Sequence, residues 1–456
     1  MTAHLRVLTF NCWGLKYVAE QRRERLLALA EWVAHSSHPH RPSNPGANSE
    51  GLPLDSSVDD YDLIALQEIW ACEDYEAVAI RAKESGLLYS RFFFSGAIGA
   101  GLAVLSRYPI LSSTMYPYQL NGYPLHFIEG DFYAGKGLCN VTIQKPGIGK
   151  IDVLSTHMYA PGGEGDKVDG AHRLAQAWEL SKLVREKSES GRHVLVMGDL
   201  NSQPWSIIIR MLLSLGQLVD AFAQTTDLPW GPSLDSPEHK SLTIESQLLV
   251  HGITADSPLN TWHAPRLKKR DSQDEVIIRG GKRLDYVLYR SPANGDRLVA
   301  ETCKVALTET IPGLGVSYSD HFGVDVIFSL LPHTETKSLS GRDIQTPYPH
   351  NPVELLSNAV SVLRERLAQS LSESRLQLQI LGGCIFLIPA ISIAASFQPL
   401  GFLNWIFTVL AILVGAVGVT MLYTGFVGGQ WERGKIKNAL TEMENEISFL
   451  EGGTGM

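Results

Sequence analysis

From Leu376 to Trp431 the chain carries no Asp, Glu, Lys, Arg or His, an uncharged run of 56 residues. Few structures accommodate such a run. About 20 helical residues at 1.5 Å rise cross a hydrocarbon core of roughly 30 Å, so there is room here for two crossings. Residues 378–397 and 400–427 are therefore expected as a transmembrane helical hairpin with only Gln398 and Pro399 between the spans; a buried soluble helix hairpin is the alternative. Arg364, Arg366 and Arg375 precede the pair and Arg433, Lys435 and Lys437 follow it. The positive-inside bias then puts both ends in the cytosol. Ala390 and Ala394 on one span, and Ala411, Gly415 and Gly418 on the other, would let the helices approach closely.

Heptad-like apolar seams flank the hairpin: Val353, Leu356, Val360, Leu363 and Leu367 before it, and Ile436, Leu440, Met443, Ile447 and Leu450 after it. Because a two-span hairpin returns its ends to one side, the seams are expected to pair as an antiparallel coiled coil. Two independent interfacial helices are the other reading. Dimerisation through these C-terminal helices is a further expectation. The chain thus divides into a globular portion at 1–331, a Pro-bearing linker at 332–352, a juxtamembrane helix at 353–377, spans at 378–397 and 400–427, and an amphipathic helix and tail at 432–456.

The portion before the linker has the opposite character. Short apolar runs such as LRVLTFN, DLIALQE, KIDVLSTH, HVLVMGD, RLDYVLY and FGVDVIF recur, most ending in a polar residue, with helical stretches at 20–34 and 171–187. This is a mixed α/β pattern. Residues 35–60, rich in Ser, Pro, His and Asn, read as a surface loop. The first residues run directly into an apolar strand, so no cleavable signal peptide is expected. Five scattered cysteines form no C-x-x-C pair, which argues against a zinc site or a disulfide framework. A net charge of −9 disfavours nucleic acid as a partner.

Four strand-end clusters carry hard oxygen ligands or amides: Asn11 in TFNCWG, Glu68 in LQEIW, Asp199 and Asn201 in GDLN, and Asp320 with His321 in SDH. Mg²⁺ takes oxygen ligands from one or two carboxylates, with waters and substrate phosphate completing its shell, so Glu68, Asp320 and Asn11 form a metal-site expectation. His157 ends one strand and His321 precedes the last. Asp285 in RLDY is placed to orient His321 as a proton acceptor. Taken singly, each string is a weak signal, since a buried carboxylate at a strand end is more often a structural cap or hydrogen-bond partner.

In order and spacing, these motifs resemble the endonuclease/exonuclease/phosphatase superfamily over residues 5–329. The resemblance implies an α/β (α+β) fold, the DNase I-like two-layer β-sandwich flanked by helices, here followed by the two-span hairpin. It also implies Mg²⁺-dependent phosphoester hydrolysis. Within the superfamily, EGDFYAGKGL at 129–138, STHMYAPGGEGDKVDGAHRLAQAWEL at 155–180 and the C-terminal spans resemble neutral sphingomyelinases and fungal inositol phosphosphingolipid phospholipases C. That likeness implies hydrolysis of a sphingolipid to ceramide and a phosphorylated headgroup. It assigns Glu68 as principal metal ligand beside Asn11 and Asp320, and puts Asp199 and Asn201 at the phosphate and the water. His157 falls on the phosphate and His321 is the base, with proton acceptance by Asp199 left open. Lys136, Asp166, Lys167, His172 and Arg173 are expected at the substrate. An integral membrane protein of the endoplasmic reticulum or mitochondria, facing the cytosol, is implied.

Seven basic residues between Arg266 and Arg283 against three acidic ones suggest either a solvated loop or contact with anionic phospholipid. Trp230 and Trp262 read equally as interfacial or packing residues. An abasic-site nuclease or an inositol polyphosphate phosphatase of the same fold, and a non-catalytic membrane scaffold, are the competing functions. The acidic charge and hairpin count against the nuclease. VMGDLNSQP and KRLDYVLY stand where the phosphatase strings would be, and no metal or base residue is lost as a scaffold would allow.

Overall fold

The computed structural model describes residues 3–36, 60–126, 130–162, 167–226, 241–263, 280–332 and 351–452, with the backbone alone for 167–169. Most of the 35–60 loop, the linker, Trp230, Asp166, the Lys167 side chain and five of the seven basic residues of 266–283 lie outside the described residues.

Twelve described strands form two six-stranded sheets. The first contains β1 (His4–Asn11), β2 (Leu63–Gln67), β3 (Tyr89–Phe93), β4 (Leu102–Ser106), β11 (Arg297–Ala306) and β12 (Gly323–Leu331), in the order β11-β12-β1-β2-β4-β3. The second contains β5 (Ile110–Pro117), β6 (Gly137–Lys145), β7 (Gly149–His157), β8 (His193–Asp199), β9 (Val219–Asp220) and β10 (Asp285–Arg290), in the order β5-β6-β7-β8-β10-β9. Central strands are buried on both faces. Their inward side chains, among them Val7, Leu63, Val104, Val141, Val153, Leu195 and Met197, make the core between the sheets.

The outer faces are covered differently. Against the first sheet lie α1 (Arg22–His35) and α2 (Cys72–Ala82), through Leu26, Leu29, Val33 and Val78. Against the second lie α4 (Lys167–Glu189) and α5 (Ile207–Ser214), while α3 (Asp131–Ala134), α6 (Ala221–Thr225) and α7 (Ile244–His251) are short connecting elements.

The C-terminal helices add a further layer to that second face. Helix α8 runs unbroken from Pro352 to Phe397, starting with Asn351 as N-cap accepting from Val353 N at 3.0 Å and Pro352 in the first turn. At 1.5 Å per residue, its 46 residues extend about 69 Å. Helix α9 (Asn404–Leu422) returns antiparallel to it and continues through a π-turn at Tyr423–Gly428 into α10 (Gly429–Leu450). The apolar windows of these two long helical stretches are only 11% and 6% buried, so they are not the core helices of a soluble protein.

The flanking seams meet, and they also join the core of α4 and α5. Leu355, Leu356, Ala359, Val360 and Leu363 of α8 and Ile436, Leu440 and Met443 of α10 belong to the same buried cluster as Leu174, Trp178 and Leu212. Lys182–Glu442 and Arg185–Glu446 (2.6 Å) ion pairs edge this contact. Leu363 and Met443 are fully covered by the chain's own helices, so a dimer through the C-terminal helices would have to use other faces.

Candidate active site

Strand register gathers the motif residues at one edge of the sandwich. In the second sheet His157, Asp199 and Asp285 form a single row, since His157 pairs with Asp199 across parallel β7 and β8, and Asp199 with Asp285 across antiparallel β8 and β10. In the first sheet Asn11 ends β1 opposite Gln67 of parallel β2, which places Glu68 one step beyond. Asp320 and His321 lie in the turn entering β12, the other neighbour of β1. Catalytic groups commonly sit on such loop ends over a rigid scaffold.

The backbone bends to make this possible. Glu68 and Asn201 have φ of +53° and +47°, the left-handed region that non-glycine residues seldom adopt and that costs about 1–3 kcal/mol. Two glycines allow the close approaches. A side chain at Gly14 would meet the Glu68 carbonyl oxygen at 2.5 Å, and one at Gly198 (φ +142°) would strike the Thr156 carbonyl oxygen at 2.0 Å.

Across the edge, side chains of the two sheets interlock. Asn11 Nδ2 donates to Glu68 Oε1 at 2.9 Å and to Asp199 Oδ2 at 3.1 Å, and its Oδ1 accepts from Trp13 N at 3.0 Å. His157 Nε2 lies 3.6 Å from Asp199 Oδ2 and 3.9 Å from Glu68 Oε1. Lys136 Nζ donates to that same Nε2 at 3.1 Å and to the Met158 carbonyl at 2.9 Å. An ammonium can only donate, so His157 carries its proton on Nδ1. Burial, then the charges of Lys136 and His321, hold its pKa well below the ordinary histidine value.

His321 is the opposite case. Its Nδ1 donates to Asp285 Oδ2 at 2.8 Å, and its Nε2 faces Asp199 Oδ2 at 3.9 Å. Burial alone would lower its pKa, but Asp285, Asp199 and Asp320 outweigh that and raise it well above the usual value. Asn201 donates its backbone N–H to Asp199 Oδ1 at 2.8 Å and its amide to the Met158 carbonyl at 3.1 Å, fixing the loop beside Asp199.

Carboxylates are crowded at this edge. Burial and then Asp320 push the Glu68 carboxyl up; burial and then Asp285 do the same for Asp199. Glu68, His157 and Asp199 bring ligand atoms within 4.8 Å of one another, as do Asp199, Asp285 and His321. Asp320 stands outside both groups while Glu68 feels its charge. Two buried polar atoms here, His157 Nδ1 and Asp285 Oδ1, have no hydrogen-bond partner. Crowded, buried carboxylate oxygens with one neutral imidazole are a donor set suited to a hard divalent cation.

His172 and Arg173 bind protein groups instead of opening into this edge. Arg173 Nη1 donates to the carbonyls of Tyr159 (3.2 Å) and Pro161 (2.6 Å), and Nη2 to that of Gly162 (3.3 Å). His172 Nδ1 accepts from Gly122 N at 3.0 Å, while Nε2 donates to Glu432 of α10 at 3.3 Å. Arg283 is buried and pairs with Asp220 at 3.2 Å, and Lys282 pairs with Asp256 at 3.2 Å. Trp262 is also buried, packing against Trp13 with centroids 5.2 Å apart and the rings tilted by 60°.

Sequence reasoning missed two residues. Arg25, buried in α1, donates to the carbonyls of Cys12, Trp13 and Tyr318 at 2.8–3.1 Å and sets a positive charge beneath Glu68 and Asp320. The signal was present: Arg25 falls on the α1 stripe that includes Leu29 and Val33, where a solvated charge is out of place. Asp131 ion-pairs with Lys136, both buried; it lies in the same EGDFYAGKGL string from which sequence reasoning took Lys136 alone.

The profile of the Endonuclease/Exonuclease/phosphatase family matches residues 8–321. Inositol phosphosphingolipids phospholipase C of Schizosaccharomyces pombe is 32% identical over 446 residues, covering 97% of this chain and 94% of that protein. The Saccharomyces cerevisiae protein of the same name is 38% identical over 339 residues, covering 73% of this chain and 66% of its own length. Sphingomyelin phosphodiesterase 2 of Rattus norvegicus is 28% identical, covering 70% of this chain and 63% of that one. Among solved structures, SmcL aligns with a TM-score of 0.48 at 17% identity, over 72% of this chain and 99% of that one.

Proposed function

This chain belongs to the endonuclease/exonuclease/phosphatase family, and from that premise we infer that it is a membrane-anchored sphingolipid phospholipase C, cleaving inositol phosphosphingolipids or sphingomyelin to ceramide and a phosphorylated headgroup. The observation that carries the reading is the conjunction of the Glu68–Asp199–His157–His321 edge with two exposed apolar helices on a chain that aligns end to end with a phospholipase C acting on such lipids.

Glu68, with Asp320, would hold Mg²⁺, which when bound polarises a phosphoryl oxygen and offsets charge building on the phosphate, while the Asn11 amide orients the Glu68 and Asp199 carboxylates by donating to both. Lys136 supplies positive charge beside the phosphate site, and His157, whose Nε2 faces Glu68 and Asp199, lines that site. Asp285 orients His321 so that the His321–Asp199 pair accepts a proton from the attacking water. As the water oxygen bonds to phosphorus, the bond from phosphorus to the ceramide oxygen breaks, and that oxygen takes a proton back from the pair. The exposed helices and their flanking cations support a hairpin anchor with the catalytic portion in the cytosol, at the endoplasmic reticulum or a mitochondrial membrane.

The test is ceramide release from radiolabelled inositol phosphoceramide and sphingomyelin in mixed micelles, with Mg²⁺ or EDTA, by the full-length protein and Glu68→Ala. Release that needs both the metal and Glu68 is the expected result, and the ratio between lipids names the headgroup. Activity on soluble inositol phosphates or abasic DNA alone would overturn the lipid assignment.

A further inference from the structure

A cavity of about 780 Å³ lies where the catalytic portion meets the membrane hairpin, within the size range of ligand sites. Its walls come from three places: residues 119–126 with Phe132, the α8 segment from Arg366 to Gln377, and the π-turn with the start of α10 from Tyr423 to Glu432. Gln377, Tyr423, Thr424 and Val427 belong to the uncharged run, whereas Arg366, Glu373 and Glu432 lie outside it. The cavity therefore straddles the level at which the hairpin would enter a bilayer. The π-turn helps to form this wall, and such turns recur at functional sites.

Chemistry narrows the occupant. Among the described lining residues Arg366 is the one Lys or Arg, and it is committed: Nε donates to Glu432 at 2.7 Å, Nη1 and Nη2 to Glu373 at 2.8 and 2.9 Å, and its guanidinium stacks 4.7 Å from the Tyr123 centroid. One guanidinium against two carboxylates leaves no cation for a phosphate headgroup. Ser370 already donates to Glu432, Thr424 to the Thr420 carbonyl, and Ser374 accepts from Arg433, so the neutral hydrogen-bonding groups left to a ligand are the amides of Gln119, Asn121 and Gln377, with aromatic and aliphatic walls at the membrane end. An uncharged lipid carrying an amide and hydroxyls on two chains matches that lining.

A relay of contacts leads from the cavity to the catalytic edge, whose own residues do not line it: Phe132 lines the cavity, its neighbour Asp131 pairs with Lys136, and Lys136 touches His157. A lipid phosphorylated at its primary hydroxyl, bound with phosphate at that edge, would have to extend its remainder along this relay to reach the cavity.

We propose that this junction cavity binds the ceramide moiety, of substrate before cleavage and of product after it, and so selects sphingoid over glycerol backbones. This rests on the phospholipase reading above. The experiment separates the two: the full-length protein in EDTA, where no turnover occurs, is irradiated with a photoactivatable ceramide in neutral phosphatidylcholine vesicles and the labelled peptides are mapped. Labelling of the 119–126 and 423–432 peptides, displaced by excess ceramide and not by diacylglycerol, is expected. Labelling elsewhere, or equal displacement by diacylglycerol, overturns the proposal whether or not the protein hydrolyses sphingolipid. In a second arm, Val427→Trp and Gln377→Trp, which fill the cavity, should reduce hydrolysis of vesicle sphingolipid at least tenfold more than hydrolysis of a soluble chain-free phosphodiester with the same headgroup. Equal losses on both substrates would also overturn it.

Discussion

Charge is arranged in opposite ways at the edge of the sandwich and at the junction with the apolar C-terminal helices. At the edge, the carboxyl groups of half-buried Glu68 and buried Asp199 lie near Asp320 and Asp285 and are pushed above their ordinary range, so keeping them ionised costs the folded chain stability. At the junction, burial alone would raise Glu432, but hydrogen bonds from His172 and Arg366, and the guanidinium charge, bring it down to about 2. One region stores unfavourable charge that a cation can relieve; the other is already satisfied and acts as a clasp. Perturbed groups of the first kind mark chemistry, and those of the second mark architecture.

Breaking the edge should remove activity without loss of fold. Glu68→Gln keeps an acceptor for Asn11 and removes the charge, and is expected to lower lipid turnover on the order of 10³-fold or more, measured as ceramide release at saturating Mg²⁺. Asp285→Asn leaves His321 without its charged partner and should reduce kcat by about 10²–10³-fold with little change in KM, read from the same assay.

Breaking the junction should instead cost stability. Leu363→Ala opens a hole between α8, α10 and α4 and is expected to destabilise by about 2–5 kcal/mol, seen as a lower midpoint of thermal unfolding in detergent. Glu432→Gln has a pH signature. A carboxyl whose folded pKa lies below its unfolded value of 4.5 stabilises the fold above that value and loses the contribution as pH falls towards 2. The wild type should therefore exceed Glu432→Gln by about 3 kcal/mol at pH 7, and the gap should close between pH 4.5 and 2. A gap independent of pH would mean that packing, not charge, holds the clasp.

The two regions also differ in how far the sequence discloses them. The edge is legible because its chemistry sits in short strings at the ends of alternating apolar runs, and sandwich register carries strand ends to one place. His157, Asp199 and Asp285 share a row for that reason. The junction is not legible in this way. His172 and Glu432 are 260 residues apart, and their meeting depends on α10 docking against α4, which periodicity does not specify. The seams around Leu363 and Met443 are visible as patterns, yet a seam names an apolar face and leaves its partner open; here the partners include α4 and α5. Arg25 and Asp131 act through buried contacts to backbone carbonyls and to Lys136, so their surroundings in space define them more than their neighbours in the chain.

The central claim, that charge crowding at the sandwich edge exists to hold a divalent cation, is tested most directly by thermal unfolding of the full-length wild type and Glu68→Gln in EDTA and in Mg²⁺. A raised folded pKa means that the ionised Glu68 weakens the metal-free fold, so in EDTA the variant should melt at or above the wild type. Mg²⁺ should then raise the midpoint of the wild type alone, because a ligand that binds only the folded state stabilises it. A wild type that melts above the variant in EDTA, together with Mg²⁺ shifts that are equal in both or absent from both, would contradict the account.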